Sequence, residues 1–278
     1  MVRIKKRWIF SALVLLGIIN YSSKHYANIK QRSGHLVDQD IVEIKSEVEE
    51  IKACPKGMVL VEGEYCPELL EICIRWADKK QAENEGRDPR ACAEFQYPTK
   101  CLSKKTEHMK FCIDKYEHSS DGNMPDIMIN FYQAKNICDS EDKRLCLDKE
   151  FEQACGGVDN NPYPYGYKRN NKLCNIDRVY IEPDFNKVVK RDINEINRID
   201  QRVPIGSTKC DSEYGVYDLT GNVDEFYVST GNTPYKDVLM GGHPAGLVRN
   251  RCRAKTIVHN EWYFGSAVGF RCCKDSIN

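Results

Sequence analysis

Apolar and polar positions change character twice along this chain. Residues Trp8–Ser23 form an uncharged run, WIFSALVLLGIINYSS, preceded by Arg3, Lys5, Lys6 and Arg7. A basic flank before an apolar run is the pattern of an export signal, with the positive end kept in the cytoplasm. A helix of that length reaches about 24 Å, short of the ~30 Å hydrocarbon core, and Arg7 and Lys24 can snorkel to span the rest. No small-x-small cleavage site and no closely following cysteine accompany the run. Residues 1–23 therefore read as a signal anchor that stays attached, with a cleaved signal peptide as the alternative. In DQDIVEIKSEVEEIK, Val37, Ile41, Ile44, Val48 and Ile51 are spaced 4, 3, 4, 3, which is the seam of an amphipathic helix. Two heptads do not hold a coiled coil by themselves, so residues 24–53 read as a helical stalk. Its seam either docks on the chain's own domain or pairs copies through residues 37–51.

Beyond Cys54 the periods are shorter. CPKGMVLVEGEYC is a strand bounded by Gly57 and Gly63. PELLEICIRWADKKQ places Leu69, Ile72, Cys73 and Trp76 on one face of a helix, and the polar KKQAENEGRDPRA after it reads as a loop. FCIDKYEH, residues 111–118, is a strand again. Asn130 caps a helix FYQAKNICDSE that gathers Phe131, Ala134, Ile137 and Cys138 on one face. A second helix starts near Asp148 and stops at Gly156-Gly157. The long stretch that follows is rich in Asn, Tyr, Pro and Asp without periodicity, which predicts loops ordered by a ligand or by disulfides. VGFRCCKD closes the chain as a strand.

Composition adds two constraints. Lys plus Arg and Asp plus Glu are both 41, so no strong global field exists for nucleic acid. Fourteen cysteines, all between Cys54 and Cys273, matter more. None are spaced Cys-x-x-Cys, which excludes a zinc ribbon, a thioredoxin site and a c-type haem. Their wide spacing predicts a disulfide framework in an oxidising compartment. Six of them lie within 54–112, which sets a Cys-rich part, 54–110, before a main domain, 111–278.

After the GMVLVEG strand come FCIDKYE, KRLCLDKEFEQACGG, PYPYGY, CNID, PIGS, YGVYDLTGNVDEFYV, MGG and GFRC, in one order. Over residues 55–64 and 111–275 this resembles the formylglycine-generating enzyme, or sulfatase-modifying factor, family. The resemblance implies an α+β, loop-rich fold of the C-type-lectin-like kind. It also implies bridges Cys138–Cys272 and Cys155–Cys252, leaving Cys146 and Cys273 as departures from the family.

The family's oxidases hold copper through two cysteines just after a Gly-Gly. Here that interval is GGHPAGLVRNRC: Gly241, Gly242 and Cys252 match, and no thiol stands between them. Copper(I) needs soft thiolate ligands, so no copper is expected and no catalytic residue is assigned. The iron-dependent relatives use histidines from a further domain, and His108, His118 and His259 show no ligand spacing. Whether the protein is an enzyme stays open, with the weight against.

The expected role is a membrane-anchored scaffold or binding module on the extracytoplasmic, periplasmic side of the inner membrane. The alternatives are an oxidoreductase of the family and a lectin-like glycan binder. Candidate contact residues are His243, Trp262, Tyr263 and Phe264, since three adjacent aromatics of an extended segment cannot all face inward. Tyr163, Tyr165 and Tyr167 are expected in the core. The expected partner is an envelope protein or a glycan.

Structural calcium is the expected cofactor. The resemblance carries a first site to the carbonyls of Asp218, Gly221 and Val223 and the carboxylate of Glu225. A second site falls on Asn175, Ile176 and Asp200. Calcium takes six to eight oxygens at about 2.3–2.6 Å, and carbonyls serve as well as carboxylates.

Overall fold

The computed structural model describes residues 53–84, 90–245 and 248–277. The signal anchor, and the stalk up to its last residue, lie outside that set. Among the described residues no helix is long and apolar enough to cross a membrane.

The Cys-rich part holds β1 (Met58–Tyr65), β2 (Leu69–Leu70), β3 (Cys73–Trp76), α1 (Lys79–Asn84), β4 (Cys92–Phe95), β5 (Lys100–Cys101) and the start of β6 (Glu107–Asp114). Then follow α2 (Phe131–Ser140), β7 (Arg144–Leu145), α3 (Asp148–Gly156), α4 (Phe185–Val189) and α5 (Ile193–Ile199). The chain ends with β8 (Asp224–Val228), β9 (Asp237–Met240), β10 (Lys255–Thr256), β11 (Val268–Phe270) and β12 (Cys272–Asp275). One sheet has the order β1-β6-β12-β7 and a second the order β10-β9-β8-β11.

The expected strand at Met58 pairs along its whole length with β6, from Met58 opposite Asp114 to Tyr65 opposite Glu107. The closing VGFRCCKD divides at Arg271. Its first half pairs in parallel with β8, and its second half lies between β6 and β7 in the other sheet. Arg271 is wholly buried where the chain crosses between sheets.

The segment expected to be a helix at Leu69–Trp76 is extended. β2 pairs with β5 and β3 with β4, and Cys73 bridges Cys92. The helical spacing of Leu69, Ile72, Cys73 and Trp76 is overridden by these non-local pairings. Ile74 and Trp76 face solvent, so this face is not a core stripe. The polar stretch expected to be a loop begins with α1 instead.

Both helices expected in the main domain form. At α2 the Asn130 carboxamide accepts from Gln133 N at 2.9 Å and the Gln133 side chain accepts from Asn130 N at 3.0 Å, a reciprocal capping box. Its Phe131, Ala134 and Cys138 are buried. At α3, Glu150 accepts from Leu147 N at 2.7 Å, and Gly157 ends the helix at φ +67°. The core follows the two-residue period of β8. Phe226 packs with Phe131, while Tyr227 on the opposite face packs with Phe151 at a ring separation of 5.0 Å.

All fourteen cysteines are used in seven bridges. Cys138 bridges Cys272 and Cys155 bridges Cys252. Cys146 bridges Cys273, placing two adjacent cysteines of β12 on α2 and on the turn after β7. Cys54–Cys112, Cys66–Cys101 and Cys73–Cys92 staple the Cys-rich part, and Cys174–Cys210 closes the loop stretch. Seven bridges and no free thiol point to an oxidising, extracytoplasmic environment.

Candidate functional site

After β9 the backbone turns at Gly241 and Gly242, with φ of +87° and +73°. A Cβ on Gly242 would stand 2.7 Å from Asn250 Nδ2, so only glycine admits this approach. Asn250, wholly buried, donates to the carbonyls of Gly241 at 3.2 Å and His243 at 3.1 Å. Asp224, the first residue of β8, ties both ends of the same loop. Its Oδ1 accepts from Gly242 N at 3.2 Å, and its Oδ2 holds the Arg249 guanidinium. Asp224 is itself fixed across β8 and β11, where its N–H donates to Ala267 O at 2.9 Å.

A cavity of about 380 Å³ opens beside this loop, with Asp224, Leu239 and Val268 among its lining. His243, Trp262, Tyr263 and Phe264, the four contact candidates, all line it. Their aromatic segment divides as its extended backbone requires. Trp262 is 66% exposed, whereas Tyr263 packs against the α2 cluster and Phe264 against that of α4 and α5. The His259 ring stacks on Tyr263 at 3.7 Å, and the Arg191 guanidinium sits 4.8 Å from the Phe264 ring centre.

Burial pushes His243 below the usual imidazole range, against the pull of Asp224 and with the help of Arg249. His259 is lowered for the same first reason, again with the help of Arg249. Both rings are therefore neutral at pH 7. His243 Nδ1 accepts from Ala245 N at 3.3 Å, which places the ring proton on Nε2 as a donor. Burial raises Tyr263, so its hydroxyl stays protonated. The cavity thus combines aromatic faces, neutral hydrogen-bonding groups, the Asp224–Arg249 ion pair and Arg202, which Asp200 holds. Such a lining binds and orients a mostly apolar group.

Sequence reasoning passed over Asp224, Arg249 and His259. The signal for Asp224 was its position. It neighbours Glu225 in an extended segment, and adjacent strand residues face opposite ways.

The residues expected to hold calcium have other partners in this structure. The turn at Gly221-Asn222 forms as expected, with both residues at positive φ. However, the two segments assigned to separate sites pack on each other. Asn222 N donates to Asn175 O at 3.1 Å, and Asn175 Nδ2 donates to Asn222 Oδ1 at 3.1 Å. Ile176 and Val223 are buried apolar side chains. The Asp218 carboxylate accepts from Thr208 Oγ1 at 2.5 Å. Glu225 receives Arg271 at 2.7 Å and 2.5 Å, and Asp200 receives Arg202 at 2.9 Å and 2.7 Å. Both carboxylates assigned to calcium are therefore held by arginine forks. A dication there would face a guanidinium at contact distance, so the residues do not fit the ion as assigned.

The fold is a disulfide-stapled α+β domain whose loops build one aromatic cavity. The Sulfatase-modifying factor enzyme 1-like domain matches residues 96–276, and the chain belongs to that family. Among solved structures it is similar to CarF, with 12% identity over 80% of this chain and 98% of that one, at a TM-score of 0.49. PvdO from Pseudomonas aeruginosa is similar at 14% identity, 78% and 94% coverage and a TM-score of 0.45. Treponema denticola variable protein 1 is similar at 14% identity, 62% and 87% coverage and a TM-score of 0.44. No curated protein matches the chain.

Proposed function

We propose that this protein is a non-catalytic member of the family, held at the extracytoplasmic face of the inner membrane by residues 1–23. It acts there as a binding module or scaffold, through the cavity beside the Gly241-Gly242 turn. One observation carries the reading: every cysteine is consumed in a disulfide, so the cavity offers no thiolate where the family's oxidases place two. Around the Gly241-Gly242 turn stand His243, an aromatic wall and the Asp224–Arg249 pair, which suit binding more than redox chemistry. The partner class is an envelope protein that inserts an apolar or aromatic group.

Site-specific photocrosslinking in cells tests this. A benzophenone side chain at position 262, at the cavity mouth, is expected to trap a discrete adduct. The same group at Tyr97, which is 73% exposed and does not line the cavity, serves as the control. Equal labelling at both positions, or none at 262, would overturn the reading.

A further inference from the structure

A second cleft, of about 700 Å³, lies between residues of the Cys-rich part and residues 248–255, and shares only Arg249 with the aromatic cavity. Its first wall, from Leu69 to Phe95, precedes the residues that match the family domain. The wall thus lies outside the part of the chain that matches the family domain. The Cys73–Cys92 bridge holds it, and the Glu71–Arg251 ion pair joins it to the other wall.

The second wall presents cations at alternate positions: Arg249, Arg251, Arg253 and Lys255. Each is held from behind by a carboxylate. Arg249 pairs with Asp224, Arg251 with Glu71, Arg253 with Glu152 at 2.6 Å, and Lys255 with Asp148 and Glu152, both at 2.8 Å. The depth order is the same in every pair. The carboxylate side chains are 1–9% exposed, and the cationic ones are 11–33% exposed. The acids therefore fix the cationic heads, and the cations form the surface of the cleft. Heads already fixed lose little rotamer freedom when an anion binds.

Two further features narrow the ligand. Trp76 lines the same cleft with 60% of its surface exposed, a flat face for a ring to stack on. The four cations of this wall face four carboxylates, Glu71, Asp148, Glu152 and Asp224. So near a balance suits one or two acidic groups on a short ligand and not the dense charge of a nucleic acid.

We propose that this cleft binds an acidic oligosaccharide, with its carboxylate or sulfate on Arg251, Arg253 and Lys255 and a sugar ring against Trp76. The site is independent of the aromatic cavity, and neither reading needs the other.

Titration calorimetry on the full chain in detergent tests it, with trigalacturonate, a heparin tetrasaccharide and neutral maltotriose as probes. At least one acidic probe is expected to bind about tenfold or more tighter than maltotriose, and to weaken as salt is raised. Binding of trigalacturonate alone would assign the carboxylate form, and of heparin alone the sulfated form. Trp76→Ala removes an exposed side chain and is expected to lose about tenfold in affinity at an unchanged melting temperature. Arg251→Lys keeps the charge but removes the planar guanidinium, and is expected to weaken binding in the same direction. The proposal is overturned if neither acidic probe exceeds maltotriose, or if Trp76→Ala binds as the parent does. Equally tight binding of a glutamate oligopeptide of matched charge would also overturn it, since charge alone would then explain the affinity.

Discussion

Arg271 and Glu225 form a doubly hydrogen-bonded ion pair, at 2.7 Å and 2.5 Å, with side chains 0% and 1% exposed. Arg271 also donates to the carbonyls of Tyr217 at 3.1 Å and Asp114 at 3.4 Å. The pair thus ties the crossing between the two sheets to β6, β8 and the loop before β8. A buried charge left alone costs far more than a lost contact. Glu225→Ala is therefore expected to destabilise the domain by about 3–5 kcal/mol in chemical denaturation. Chelation of the parent protein is expected to leave its melting temperature unchanged. A melting temperature that falls with chelator would restore calcium as Glu225's partner.

Asp224 and Arg249 close the cavity loop. Asp224→Asn removes the charge that holds Arg249 and weakens the bond to Gly242 N. The expected cost is about 2 kcal/mol. Hydrogen exchange is expected to quicken at residues 248–250 and 241–245, with the β1–β6 ladder unchanged. Uniform quickening over the whole domain would mean that the pair holds the fold and not the loop.

Asp237 lies buried at the start of β9, with Oδ1 unpartnered, and burial pushes its carboxyl from 3.8 up to about 6. A carboxyl raised on folding binds its proton more tightly in the native state. Stability from this group is therefore full below pH 3.8, falls as pH rises toward about 6, and is lost above that. Asp237→Asn is expected to raise the melting temperature at pH 7.5 and leave it unchanged near pH 3.5. A variant less stable than the parent at pH 7.5 would show that the ionised form is the native one.

Cys155–Cys252 joins α3 to the end of the cavity loop and closes 97 residues. Replacing both cysteines by serine is expected to cost about 4–5 kcal/mol in the chain-entropy view, measured by denaturant midpoint. A loss below about 1 kcal/mol would mean that the surrounding hydrogen bonds alone hold the loop.

Much of the fold was legible because its signals are local. Asn130 and Gln133 announce the capping box of α2 three residues apart, and Gly157 stops α3 where its left-handed backbone demands glycine. The strand at Leu69–Trp76 was not legible. Its partners, β4 and β5, lie up to about thirty residues on, and apolar positions that happen to follow a helical period are silent about them. The cavity was half legible. His243 and Trp262–Phe264 stood out as a lone histidine and an aromatic run. Asp224 and Arg249 became a pair only when the Gly241-Gly242 turn folded the loop back. Glu225 was read as a calcium ligand, and nothing nearby in sequence marks Arg271, forty-six residues later, as its partner.

Under the proposed function the cavity binds and does not oxidise. The direct measurement supplies copper(I), oxygen and a sulfatase-type cysteine peptide to the purified, disulfide-intact protein, and reads the peptide by mass spectrometry. The expected result is unmodified cysteine, together with no titratable thiol in the denatured, unreduced chain. Turnover of the peptide cysteine to formylglycine would contradict the account.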